Sequence, residues 1–173
     1  MLCGQKYNIP RHAIHLWLMM RGRVKTQDRL RQWDVVKDVN LYLLRCPFCK
    51  LQLDTHEDLF FKCLYSSRVW SQVLIMADLP NISPVWIDVM GWISPMSKSN
   101  NVTSTVGRLV VAVLSYFIWQ EHNKRIYEKN GREPEEITNI VVDIIRLKLA
   151  SINFRKKVRV ATMKKTWILP INE

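Results

Sequence analysis

LLRCPFCKLQLDTHEDLFFKCLYSSRVW, residues 43–70, holds three of the chain's four cysteines and decides how the rest is read. Cys46 and Cys49 are separated by two residues, the gap at which a tight turn brings two thiolates to one ion. A Cys-x-x-Cys pair can also be a redox couple, but that chemistry goes with a βαβ setting, and no such alternation flanks it. Two unrelated core thiols are the plainer alternative. A third cysteine at position 63, with acid and imidazole groups between, tips the reading to Zn2+. Cys3 stands apart and reads as an idle thiol.

The fourth ligand is open between two side chains. His56 precedes Cys63 by seven residues, which on a continuous helix is two turns and about 10 Å of rise, too far for one ion. It serves only if the chain bends. Asp58 leaves four residues before Cys63, inside the three-to-five gap of finger helices. Position favours Asp58 and chemistry favours His56. The site expected is Cys46, Cys49, Asp58 and Cys63, with His56 as the alternative.

Outward from this stretch the pattern is helical. Pro10 suits a first helical position, and the run to Gly22 is so apolar that Ile14, Trp17, Leu18 and Met20 are expected to face the core. Thr26 can cap a second helix with Leu30 and Trp33 inward, and Ser66 or Ser67 a third carrying Val69, Trp70, Val73 and Leu74. Residues 78–104 gather Pro80, Pro84, Gly91, Pro95 and a Ser/Asn cluster, the signature of a linker with one short turn near Trp86. A long helix is expected over 105–129, then one opening at Pro134. Strand signals are weak, confined to a stretch near 158–170 with no partner. The fold class is all-α: a small helical domain around a cysteine-rich loop (1–77), a linker (78–104), and a helical hairpin with a basic tail (105–173).

The order of motifs resembles a known family. The stretch HAIHLWLMMRGRVKTQDRLRQW, then CPFC, then DTHEDLFFKCLYSSRVW is similar to the zinc-binding domain that follows reverse transcriptase in plant LINE-type (non-LTR) retrotransposons. The resemblance spans about residues 7–75 and implies a domain truncated at its N-terminal side. It places Cys46, Cys49 and Cys63 on three ligand positions and Asp58 where the family has histidine. Asp54 stands where glutamate is usual, and His56 at a variable position. A reverse transcriptase polymerase domain is an implied partner.

Catalytic patterns are missing. No Asp-Asp pair exists to hold the two metals of a polymerase, and neither a P-loop nor a Gly-x-Ser-x-Gly elbow occurs. His12 and His15 read as surface or satisfied core histidines. Tyr116, Trp119 and Tyr127 can make a base-stacking surface, but at helical spacing they read first as core. The chain is expected not to be an enzyme.

Charge is strongly segregated. Of the net +11, residues 1–35 carry +5, residues 144–173 carry +7 and the middle carries −1. Such flanks suit a phosphate backbone. The RNA- or DNA-contacting set expected is Arg21, Arg23, Lys25, Arg29 and Arg31 at one end, and Arg155, Lys156, Lys157, Arg159, Lys164 and Lys165 at the other. The opening residues have no apolar signal core, and the longest apolar run, 109–119, is too short to span a bilayer. The expectation is a soluble intracellular protein, with the basic tail as a nuclear import signal. The rival function is a protein-interaction or scaffolding helical domain, including a decayed retroelement fragment with no metal.

Overall fold

The computed structural model describes residues 8–28, 45–99, 101–154 and 158–169. They form α1 (Pro10–Met20), a π-helical turn (Asp58–Lys62), α2 (Leu64–Met76), α3 (Trp86–Ile93) and a 3-10 turn (Pro95–Lys98). There follow α4 (Val102–Tyr127), α5 (Pro134–Ala150) and α6 (Val158–Thr166). Among the described residues there is no strand, only an isolated antiparallel bridge between Arg45 and Leu53. The fold is all-α, as expected. Cys3, Arg29, Leu30, Arg31, Trp33 and 155–157 lie outside the described residues.

The helix ends follow the chain chemistry. Pro10 opens α1, and Gly22, at φ 58°, closes it in the left-handed region. There the amides of Gly22 and Arg23 reach back to the carbonyls of Met19 and Leu18, satisfying orphan acceptors of the last turn. Asn101 caps α4 by accepting from the Ser104 amide at 2.7 Å. That cap starts the long helix at Val102, earlier than expected. It also shortens the linker, which is further occupied by α3 and the 3-10 turn. Arg108, buried in α4, reaches back to the carbonyls of Met96 and Ser99 and so ties that turn down. The segment over 158–166 is a helix rather than a strand, with Met163 and Trp167 anchored in the core.

α4 is the axis of the molecule: α1 and α5 pack along it, and α5 packs on α2. It is long and apolar enough to cross a membrane, yet 78% of its most apolar window is buried by the other helices. One continuous core draws Leu16, Phe60, Trp70, Val89, Val110, Ile145 and Trp167 from all parts of the described chain.

α1 turns differently from its expected orientation. Its buried residues are His12, Ala13, His15, Leu16 and Met19, while Ile14 is 58% exposed and Met20 38%. An all-round apolar helix does not announce its inner face, and here the stripe at 12, 15, 16 and 19 meets α4. His12 lies 4.4 Å, centroid to centroid, from Tyr116, and His15 sits among Phe60, Tyr116 and Trp119. Among the described residues neither ring nitrogen of His15 has a hydrogen-bond partner, so it is a buried but unsatisfied histidine.

Burial, with Arg11 beside His12 and with His12 and His56 beside His15, pushes both imidazoles down to about 4. Both rings are thus neutral in the fold, and protonation is easier once the chain unfolds, where histidine titrates near 6.5. Their contribution is complete above about pH 6.5 and is lost as pH falls from there towards 4. Each can remove up to about 1.4 kcal/mol per pH unit in that window. Urea unfolding of metal-free protein should show this slope between pH 6.5 and 4, and His15→Phe should flatten it. An unchanged slope in that variant contradicts the assignment.

Candidate metal centre

The four residues Cys46, Cys49, Asp58 and Cys63 come together with all ligand atoms within 4.8 Å of one another. Two local structures do this. The first is the turn at 46–50, closed by the Lys50 amide donating to the Cys46 carbonyl at 2.9 Å. Lys50 stands at φ 57°, a left-handed position that lacks the glycine best suited to it.

The second is the π-helical turn. Five residues along an α-helix rotate by about 140°, which would turn position 58 away from position 63. Instead the Cys63 amide donates to the Asp58 carbonyl at 2.9 Å, an i→i+5 bond that brings the two over one another. Thr55 starts this turn, its hydroxyl accepting from the Asp58 amide at 3.1 Å. Cys63 then leaves the helical region and becomes the N-cap of α2, the role expected of Ser66 or Ser67.

The donor set fits a zinc ion. The sulfurs of Cys46 and Cys63 are 3.7 Å apart. Tetrahedral bonds of about 2.3 Å would set two sulfurs roughly 3.8 Å apart. The two thiols contend for one proton. The hydrogen bond from Cys46, helped by the Tyr65 and Ser66 amides, brings Cys63 down to about 6, and the same bond pushes Cys46 up. A helix N-terminus favours thiolate in the same way. Burial pushes the Asp58 carboxyl above its ordinary range, and its Oδ2 has no hydrogen-bond partner among the described residues. A buried carboxylate oxygen with no partner among the described residues, beside three thiols, is a donor set suited to a divalent cation.

His56 is engaged elsewhere. Its Nε2 lies 3.1 Å from the Met19 carbonyl, and its ring packs edge-on against Phe60 and Trp86. The chain does not bend His56 into the cluster.

The structure also shows residues that the spacing did not point to. Asp54, fully buried, accepts from His122 Nε2 at 3.0 and 2.8 Å and from the Gln27 amide at 2.9 Å. Phe48 stacks on Tyr65 at 4.4 Å, with the Arg125 guanidinium over both rings. No short-range signal could link 48 or 54 to α4. The basic residues fall in two places. Arg21, Arg23 and Lys25 are exposed on and after the α1 C-cap, while Arg159, which lines a hollow with Val102 and Val106, and Lys165 are exposed near the other end of α4. Along that helix, the twenty steps from residue 102 to residue 122 span about 30 Å.

A thiol-rich cluster of four protein side chains, on an all-α frame, fits a zinc site. Residues 2–70, which include all four ligands, match the family described as zinc-binding in reverse transcriptase. No curated protein and no solved structure matches the chain.

Three outcomes check the centre. Three thiolates and a carboxylate place excess negative charge on a divalent ion, so Asp58→His should tighten zinc binding roughly tenfold, about 1.4 kcal/mol. His56→Ala should weaken it far less than Asp58→Ala in the same chelator competition; the reverse order would make His56 the ligand. Lys50→Gly should raise stability by about 1 kcal/mol by relieving the left-handed residue, read as a shift in urea midpoint at fixed zinc.

Proposed function

We propose that this protein is a non-catalytic zinc-binding module of non-LTR retroelement origin, of the plant LINE type, that binds RNA or DNA through its basic residues. The observation that carries the reading is how the exposed turn with Arg21, Arg23 and Lys25 is fastened to the metal loop. The Met19 carbonyl is held by His56, and the Gln27 and Asp28 amides by Asp54, at 3.1, 2.9 and 3.4 Å. A metal that orders residues 46–63 thereby orders a phosphate-facing turn. Four protein ligands leave the ion no open position for substrate, which supports a non-catalytic role. Arg159, Lys164 and Lys165 would engage a separate part of the polyanion.

A second reading, protein interaction, rests on one feature. Leu51 and Leu64, 72% and 73% exposed, flank an open hollow of about 720 Å³ beside the 46–50 turn. A reverse transcriptase polymerase domain is the partner that reading names.

Salt dependence separates the two. Each phosphate contact contributes about 0.9 to the slope of log K against log salt for duplex DNA. The triple variant Arg21→Ala, Arg23→Ala, Lys25→Ala should therefore flatten the slope by about 2–3. If the 173-residue chain ignores RNA and DNA at low salt, that result would overturn the nucleic-acid reading and favour the other.

A further inference from the structure

We propose that the metal-binding unit extends past the matched segment into α4, with His122 and Arg125 as positioning residues that hold the ligand loop in shape. The inference rests on the zinc reading of Cys46, Cys49, Asp58 and Cys63.

The ligands arrive on two segments of unequal rigidity. Cys63 caps α2 and Asp58 begins the π-helical turn, so each adjoins helical backbone. Cys46 and Cys49 sit on a turn with no helix of its own, joined to the π-helical turn by residues 50–57. Something else must fix that turn and that connection. One stretch of α4 grips both.

At the turn, Phe48 lies between the two ligand cysteines. Its ring stacks on Tyr65, two residues after Cys63, with planes inclined by 18°. Arg125 places its guanidinium 5.2 Å from the Phe48 centroid and 4.6 Å from that of Tyr65, and the His122 ring meets Phe48 edge-on. The two ligand segments are thus joined through an aromatic pair that α4 covers.

At the connection, the Nε2–H of His122 donates to both oxygens of Asp54, with the two side chains 1% and 0% exposed. Asp54 lies immediately before Thr55, whose hydroxyl starts the turn that carries Asp58. The next residue back along α4, Glu121, is fully buried. It fixes Arg125 through Nε at 3.1 Å and Arg132 through its amide and Nε at 2.7 and 2.9 Å. The Arg132 carbonyl accepts from Tyr65 Oη and Arg125 Nη2, at 2.8 and 2.7 Å, closing the network onto the aromatic pair.

Both anchors therefore come from residues 121–132, well beyond position 70 where the family match ends. Groups that orient metal ligands from outside the coordination sphere commonly change affinity by about 10–100-fold when lost.

The test uses the 173-residue chain and four variants at a temperature where circular dichroism shows each one folded. His122→Phe keeps the ring and removes the donor; His122→Gln restores a donor. Arg125→Met removes the guanidinium from the two rings and stands in should His122→Phe fail to fold. Val113→Ala, a buried α4 position remote from these contacts, reports general destabilisation. Zinc affinity is read by chelator competition, and ligand geometry by the absorption bands of the cobalt-substituted protein.

The expected result is zinc affinity weakened by about 10–100-fold and altered cobalt bands in His122→Phe and Arg125→Met. His122→Gln should lie near wild type and Val113→Ala should be unchanged. Wild-type affinity and bands in His122→Phe, or in Arg125→Met, would overturn the proposal. So would an equal loss in Val113→Ala, which would make the effect one of stability alone. A wild-type protein that takes up neither zinc nor cobalt would instead refute the zinc reading itself, and this inference with it.

Discussion

The i→i+5 hydrogen bond from the Cys63 amide to the Asp58 carbonyl is the constraint on which the rest of the centre depends. An ordinary helical turn would carry the carboxylate round the cylinder and away from the thiols. The wider turn keeps it in line, and Cys63 can then leave the helix and cap the next one. One backbone bond thus sets a ligand pair, ends one element and starts another. Buried polar groups near it, such as Asp58 Oδ2 and the Cys46–Cys63 pair, are costly without a cation and well used with one.

Around that turn the chain spends its polar interactions on fastening. Asp54 binds His122, Glu121 binds Arg125 and Arg132, and His56 meets the end of α1. Burial opposes the charge on Glu121, yet the hydrogen bonds from Arg132 and Arg125 hold its carboxyl below its ordinary value. The consequence is a cysteine loop braced from two sides, by the end of α1 and by the far half of α4. The basic turn at 21–25 inherits its position from the same bracing, and this links metal to the proposed contact with phosphate.

Much of this was legible in the residues themselves. Cysteine spacing marked the ligands at 46, 49 and 63, and counting positions back from Cys63 favoured Asp58 over His56. Pro10 and Gly22 marked the ends of α1, and Pro134 the start of α5, by chemistry that acts within a few residues. What stayed hidden acts at long range or by degeneracy. The pairing of Asp54 with His122 crosses 68 positions, and nothing local announces it. The inner face of α1 was obscured because apolar residues surround the helix, so two histidines took positions that Ile14 and Met20 were expected to fill. The proline-rich stretch over 78–104 reads as linker, yet Val89 and Ile93 give α3 enough apolar surface to dock.

X-ray absorption at the zinc edge of the purified protein tests the central claim most directly. The account predicts one zinc per chain, bound by three sulfurs near 2.3 Å and one oxygen near 2.0–2.2 Å. A shell with an imidazole nitrogen in place of the oxygen would contradict the assignment of Asp58, and protein that holds no zinc would contradict the centre altogether.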